Sequence, residues 1–467
     1  MSEPAKQVGK AVDTIQQRLT EYASEFRFDV LTPEAIHAAK VRVIDTLGCL
    51  IGAFFGEPGS VARNLAAGLP QPDGATVIGT RMKTLPDIAA FVNATTARDS
   101  EMTDAYHYPG SFHGHPSDIV TPLLAVAEQR GASGREYIES LVLGYEVFLR
   151  FSNAFHNEGF DATNFTVVAS AIGAGKLLGL TPQAMSHCIS MAVVPNVILK
   201  QVRKNHLSMY KAAASGHAGR AGVFAAQLAL AGMEGPHLPF EGKAGWCAHV
   251  AREPMTFDVF GGKGVPFQIL ETRLKNRPSE GNAIAPILAA EKLAVLRDPE
   301  NVAQVTVEVF EHALDRAGTG DHHWNPESRE TADHSIPYVV AAGLLFGKVT
   351  HRSFIDARLH DPVLRALLPK IRVVEDKAFT AAYEKLPVEH RTRITVAMKN
   401  GQQLVAETGG DEDDHGRVMS DEKVMEKFRD FTEDSLGAKQ VRHNLDRLWH
   451  LDELDNVAVV PRDFVIG

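Results

Sequence analysis

The side chains best suited to moving protons crowd into one stretch, from Glu101 to Asp118. It holds Glu101, Asp104 and Asp118 together with His107, His113 and His115, separated by Gly and Pro turn formers. Histidine titrates near neutrality, so a rigid loop of this kind can present general acids and bases. A helix starting at Ser117 and Asp118 would aim its N-terminus at the same place and attract a carboxylate. Two other readings fit the same residues. One is a surface loop of solvated histidines. The other is a metal-dependent hydrolase in which His107, His113 and His115 ligate the ion, with His322 and His323 as further donors. His-x-His pairs of that kind usually end a barrel strand, and no strand–helix alternation surrounds this one.

Three further groups carry charge. Arg203 and Lys204 precede Lys211 and Arg220, and the last two flank a run of small residues. A cation on so tightly packed a helix needs an anion, either a buried acid or a substrate carboxylate. Arginine offers the carboxylate a two-pronged fit. Arg273, Lys275 and Arg277 lie where the sequence texture changes. Such seams often house pockets, although a solvated charge run is the plainer alternative. Finally, Asp333 can fix the tautomer of His334, and Tyr338 can donate a proton. The plainer role for this last segment is helix capping by Thr331, Asp333 or Ser335.

The elements that must position these residues divide into two textures. From about residue 33 to 260 the pattern is mostly helical. Pro33 opens a helix with Thr32 as its cap, and Val43, Leu47, Leu50 and Ile51 recur at helical spacing. Ser117 and Asp118 can cap a helix containing Leu123, Leu124 and Val126. Residues 167–180 and 212–232 are rich in Ala and Gly, which lets helices approach closely, and Gly179 and Gly232 can end them. After about residue 267, alternating runs at 305–310 and 393–398 read as strands. Asn400-Gly401 is a hairpin turn, and 404–406 is the returning strand. Helices are expected at 284–296 and 338–345. Beyond an acidic loop at 409–415, Ser420 caps another helix, and 445–454 also reads as helical. The expectation is a mainly α chain with an α+β second domain. Its parts are a helical domain over 1–267, an α+β unit over 268–408, and a helical return over 409–467.

Composition narrows the function. The 467 residues include 48 Lys+Arg and 58 Asp+Glu, a net charge of −10 with no basic block. That argues against nucleic acid as a partner. The three cysteines, Cys49, Cys188 and Cys247, are too far apart for a zinc ribbon or an iron–sulfur CxxC set. No disulfide framework is expected, which suits a reducing cytoplasm. Lys176 and Asp45 interrupt the greasiest stretches short of the roughly 20 apolar residues a membrane span needs. The polar Met1–Gln7 does not read as a signal peptide.

The chain resembles the MmgE/PrpD family along most of its length. The resemblance rests on the Arg42–Gly48 opening, the turn from His115 to Asp118, and the Ala174–Leu180 and Phe240–Lys243 segments. Its most specific parts are Leu274-Lys275 with Pro278, and the run from Arg329 to Tyr338. The family includes 2-methylcitrate dehydratases, cis-aconitate decarboxylases and an iminodisuccinate epimerase. The resemblance implies a large helical domain built from both chain ends, a smaller α+β lid, a homodimer and no required cofactor. It makes His115 the active-site histidine, Lys211 the active-site lysine, and Lys275 and Tyr338 direct matches. Glu101 falls where decarboxylases carry an aspartate, Ala105 where they have a threonine, and Asp161 where they have a second histidine. Asn282 replaces a further family histidine, and His107 matches no essential position. Asp161 and the Asp333–Ser335 segment look more like the methylcitrate dehydratase branch.

The expected activity is therefore cofactor-free dehydration of a small polycarboxylate. Proton transfer is expected from His115 and Tyr338, with Asp161 or Glu101 as a second acid/base or orienting group. Lys211, Lys275, Arg220 and Arg273 would hold carboxylates, with His107 and His334 in supporting places. Decarboxylation or epimerisation can use the same cations, because all three reactions pass through carbanion-like states. A noncatalytic carboxylate-binding protein is the remaining alternative.

Overall fold

The computed structural model describes residues 12–108, 110–411 and 414–467. The polar Met1–Gln7 lies outside these residues, as do Pro109 of the histidine loop and Glu412 and Asp413 of the acidic loop.

Helices dominate the first half. The Pro33–Gly52 helix begins with Pro in its first turn, and the Thr32 hydroxyl accepts the Ala35 N–H at 3.2 Å. Every residue from Val41 to Ile51 is buried. A helix buried on all sides must be enclosed on all sides, and the enclosing partner on one flank is the Asp421–Leu436 helix from the far end of the chain. The Ala/Gly-rich segments form the Thr163–Leu177 and Tyr210–Leu230 helices. Small residues on the second let it touch several neighbours. A Cβ on Gly216 would stand 2.2 Å from Thr95 Oγ1, and one on Gly222 would stand 2.5 Å from the Val167 carbonyl. The helical half also contains a short antiparallel pair, Pro70–Thr76 with Lys83–Thr84. It has no alternating apolar pattern, so nothing in the sequence announces it.

The second texture forms a four-stranded sheet. Val302–Val309 runs parallel to Ile371–Glu375 and antiparallel to Thr392–Met398, which pairs with Gln403–Thr408 across the Asn400-Gly401 turn. The parallel strand is absent from the sequence reading because it is five residues long and only partly alternating. The expected 284–296 helix ends at Glu291. The Ile336–Phe346 helix is apolar throughout and packs on Ile284–Glu291.

Two large buried apolar clusters result, beside two small ones among the described residues. One gathers residues from Ile15 to Leu274 together with Val424 to Phe464. The other draws on Ala283 to Val396. The two ends of the chain thus share one core, and the sheet has its own. Among the described residues no helix is long and apolar enough to cross a membrane.

Because Gly222 lies against backbone rather than a movable side chain, Gly222→Val must push the two helices apart. Overpacking of this kind costs about 1–3 kcal/mol or more. The expected result is a clearly lowered thermal midpoint by circular dichroism. A Gly222→Ala variant should lie between it and the parent.

Candidate active site

The Pro86–Asp99 helix ends in a turn that throws Glu101 into the interior with φ of +54°. A non-glycine residue in that region carries strain of order 1–3 kcal/mol and persists only when its surroundings fix it. Three cations from three elements do so. Arg98, in the last helical turn, donates to both Glu101 oxygens at 2.7 and 3.2 Å. Lys275, at the seam, reaches Oε1 at 2.6 Å. Lys211, from the Tyr210–Leu230 helix, reaches Oε2 at 3.1 Å. Burial alone would raise the Glu101 carboxyl, but Arg98, Lys211 and Lys275 outweigh it and hold it well below the usual range.

The same network crosses to the α+β unit. Lys211 also donates to Asp333 at 3.0 Å. Asp333 accepts from His334 Nδ1 at 2.5 Å, which orients that ring, and the Asp333 carbonyl accepts from Glu280 N–H and the Ser279 hydroxyl. The neighbouring Ser335 accepts the Tyr338 N–H and caps the following helix. Both readings of this segment, ring orientation and capping, are thus realised by adjacent residues.

His115 is fixed by a backbone carbonyl. Its Nδ1 lies 2.7 Å from the Asp104 oxygen, which can only accept, so Nδ1 carries the proton and Nε2 keeps its lone pair. Asp104 is itself held by Ser117 N–H at 3.0 Å and the Tyr145 hydroxyl at 2.9 Å. Burial, with Arg98 and Lys275 nearby, pushes the imidazole well below 6.5 and keeps it neutral. Ser117 and Asp118 do not cap the next helix as expected. The chain first makes a 3-10 turn over Pro116–Ile119, and neither side chain caps the Val120–Arg130 helix that follows. Asp118 instead accepts the Ser215 hydroxyl at 2.7 Å, and burial pushes its carboxyl up to about 6.

His115, His334, Glu101, Asp118, Lys275 and Asn282 line one cavity of about 190 Å³. Typical pockets for drug-sized ligands run to about 300–1,000 Å³, so this one suits a much smaller molecule. Asp161 lies in its wall, where Arg203 donates at 3.1 Å, Lys200 at 3.4 Å and the Thr163 hydroxyl at 2.8 Å. Burial would raise Asp161, but Arg203 and Lys200 dominate and hold it well below the carboxylate range. An acid so firmly ionised orients cations and does not donate protons near neutrality.

Lys211 reaches this cavity only through Glu101, and three further expected groups are not brought to it in the expected way. The Tyr338 hydroxyl donates to the Ser353 carbonyl at 2.7 Å inside the α+β core. Arg220 pairs with Asp87 at 3.0 Å on a half-exposed face. Arg273 lines a larger neighbouring pocket of about 720 Å³ and spends its guanidinium on the Gly416, Leu270 and Thr272 carbonyls. Its backbone pairs with Ala105 at 2.8 and 2.9 Å, which pins the histidine loop to the seam. His107 stands in the wall between the two pockets, with Nδ1 3.3 Å from His113 Nδ1.

Sequence reasoning missed several contributors. Arg98 could have been found, because it stands three residues before Glu101 on the same helical turn. Lys427, on the Asp421–Leu436 helix, carries no such signal. It donates to Asp45 and to the Met102 and Lys275 carbonyls at 2.6 to 2.8 Å, so the returning helix fixes both flanks of the Glu101 cage. His312, His390 and His415 gather with His107 and His113, with ring centroids 4.6 to 6.4 Å apart. The hydrolase alternative lacks a donor set. Among the described residues no three His, Cys, Asp or Glu side chains are placed to hold one metal ion.

Two expectations follow. Glu101→Gln leaves three buried cations facing a neutral group. Breaking such a pair costs about 3–5 kcal/mol, which a denaturation midpoint will register as a large loss. The second concerns pH. Burial, together with neighbouring positive charges, holds His107, His113, His115 and His415 below the usual 6.5. Unfolding lets them bind protons that the folded state refuses, so their stabilisation is complete well above pH 6.5 and is lost as pH falls through it. Between pH 7.5 and 6 the four together should cost roughly 3 kcal/mol. His415→Phe should flatten that decline in a pH series of thermal midpoints.

The chain is 28% identical over 438 residues to the 2-methylcitrate dehydratase of Salmonella typhi, covering 86% of this chain and 87% of that one. It is 27% identical to the mitochondrial 2-methylcitrate dehydratase of Yarrowia lipolytica, over 84% of this chain and 78% of that one. The cis-aconitate decarboxylase of Aspergillus terreus matches at 25% identity, over 95% and 94%. Residues 17–257 match the MmgE/PrpD N-terminal domain and residues 278–451 match the MmgE/PrpD C-terminal domain, so the chain belongs to the MmgE/PrpD family.

Proposed function

We propose that this chain is a lyase that eliminates water from a 2-methylcitrate-like polycarboxylate, using side chains alone. The observation that carries the reading is the meeting, in one small cavity, of a neutral His115 with a fixed tautomer, a His334 oriented by Asp333, and buried cations. The 2-methylcitrate dehydratases to which the chain is similar support it.

In this reading His115 Nε2 takes a proton from the carbon next to a substrate carboxylate. Negative charge develops on that carboxylate and is stabilised by Lys275 and Arg98, whose positions are set in advance. The C–O bond to the hydroxyl then breaks, a C=C bond forms, and His334 supplies the proton that lets the hydroxyl leave as water. Glu101 holds Lys211 and Lys275 in place, and Asp161 holds Arg203 and Lys200. Tyr338, occupied by Ser353, supports the α+β core and is replaced by His334 as proton donor. Decarboxylation of a cis-aconitate-like acid is the second reading, favoured by the similarity to the fungal decarboxylase.

We further propose a homodimer, supported by the exposed apolar Phe224, Leu230 and Met233. A cytoplasmic location is supported by three unpaired cysteines. The two separate cores support the division into a helical domain from both chain ends and an inserted α+β unit.

His115→Gln tests the assignment. A missing general base costs typically 10²–10⁴-fold, so kcat on 2-methylcitrate should fall by about that much while the far-UV spectrum stays unchanged. Near-parental turnover by this variant would remove His115 from the mechanism. Tricarboxylate binding without any turnover by the parent would favour the noncatalytic alternative.

A further inference from the structure

We infer that Arg316, on the Glu311–Ala317 helix of the α+β unit, clamps a distal substrate carboxylate and sets a preference for tricarboxylates over dicarboxylates. The inference rests on the polycarboxylate reading above and assigns part of its specificity.

Most cations around the cavity already have buried acidic partners. Arg98, Lys211 and Lys275 converge on Glu101, which is 2% exposed. Lys200 and Arg203 converge on Asp161, which is 1% exposed. Removing either acid from its cations would leave buried charge uncompensated. Arg316 differs. It lines the same cavity, yet its carboxylate contact is a single one, Glu158 at 3.4 Å, and Glu158 is 67% exposed. An exposed pair of that kind is worth about 0–1 kcal/mol, so a ligand can displace Glu158 at little cost.

The corner that Arg316 occupies also holds Glu280, whose carboxylate accepts the Asn282 N–H at 2.8 Å and its side-chain amide at 2.7 Å. His113 and His312 stack edge to face at 4.8 Å. Arg316 and Lys200 both press the His113 imidazole toward its neutral form, which places their charges beside it. A carboxylate entering there would meet Arg316, with Lys200 held beside it by Asp161, Glu158 as an easily displaced acid, and Glu280 kept on Asn282. A planar guanidinium can then grip it through two parallel hydrogen bonds. His115 and His334 line the same cavity, so one molecule can present its reacting carbon to them and a remote carboxylate to Arg316.

The test is calorimetric titration of the full-length parent, Arg316→Gln and Glu158→Gln with two unreactive probes. Propane-1,2,3-tricarboxylate carries the distal carboxylate, and 2-methylsuccinate is the same skeleton with that terminal carboxylate replaced by hydrogen. The parent should prefer the tricarboxylate. Arg316→Gln should weaken tricarboxylate binding by about tenfold or more while changing 2-methylsuccinate binding little, because one charge-assisted contact is lost. Glu158→Gln, which removes the competitor, should tighten tricarboxylate binding. Equal weakening of both probes by Arg316→Gln, or no change with either, overturns the inference. A parent that binds neither probe overturns the polycarboxylate reading itself and the inference with it.

Discussion

The site depends on one buried carboxylate that must stay charged. Glu101 lies in a backbone conformation unfavourable to any side chain, with Arg98, Lys211 and Lys275 closing on it from three elements. A buried acid facing one base is often replaceable by apolar residues of the same volume. Here the acid has a further consequence. It is the counter-ion that allows three cations to be packed side by side in the protein interior. Without it their mutual repulsion and lost hydration would open the cavity.

From that carboxylate the connections run outward through both cores. Lys211 joins Glu101 to Asp333 and thus the helical body to the α+β unit. Lys427 joins the returning helix to the loop that carries Glu101 and to the segment that carries Lys275. The chain ends fold together because the Pro33–Gly52 helix needs cover on every side. That same packing brings Lys427 to its place. Core formation and site assembly are therefore coupled: a change that loosens the terminal helix will loosen the anchor of Lys275 without touching the cavity.

Much of this was legible before any coordinates. The change of texture near residue 267, the Asn400-Gly401 hairpin and the Ser420 cap are local signals, and local physics decides them. The cluster from Glu101 to Asp118 was legible as chemistry. What it hid was direction. His115 is a candidate base because its Nδ1 meets the Asp104 carbonyl, and no spacing rule reveals a backbone oxygen eleven residues away. Tyr338 was legible by resemblance, but the Ser353 partner of its hydroxyl was not. It belongs to an almost wholly apolar helix, whose neighbours turned its hydroxyl to Ser353. Arg220 looked like a buried cation because small residues surround it in sequence, yet the helix face it occupies is the open one. Arg316 and Lys427 gave no signal, since a single cation on a charged helix looks like any solvated residue.

In the proposed reaction this cavity removes a proton and a hydroxyl from a citrate-like acid with its own side chains. The most direct measurement is proton NMR of 2-methylcitrate incubated in deuterium oxide with the chelator-washed full-length protein. The expected result is an alkene product, with deuterium entering the substrate carbon next to the carboxylate whenever proton removal outruns water loss. Unchanged substrate showing neither alkene nor deuterium, with the acid demonstrably bound, would contradict it.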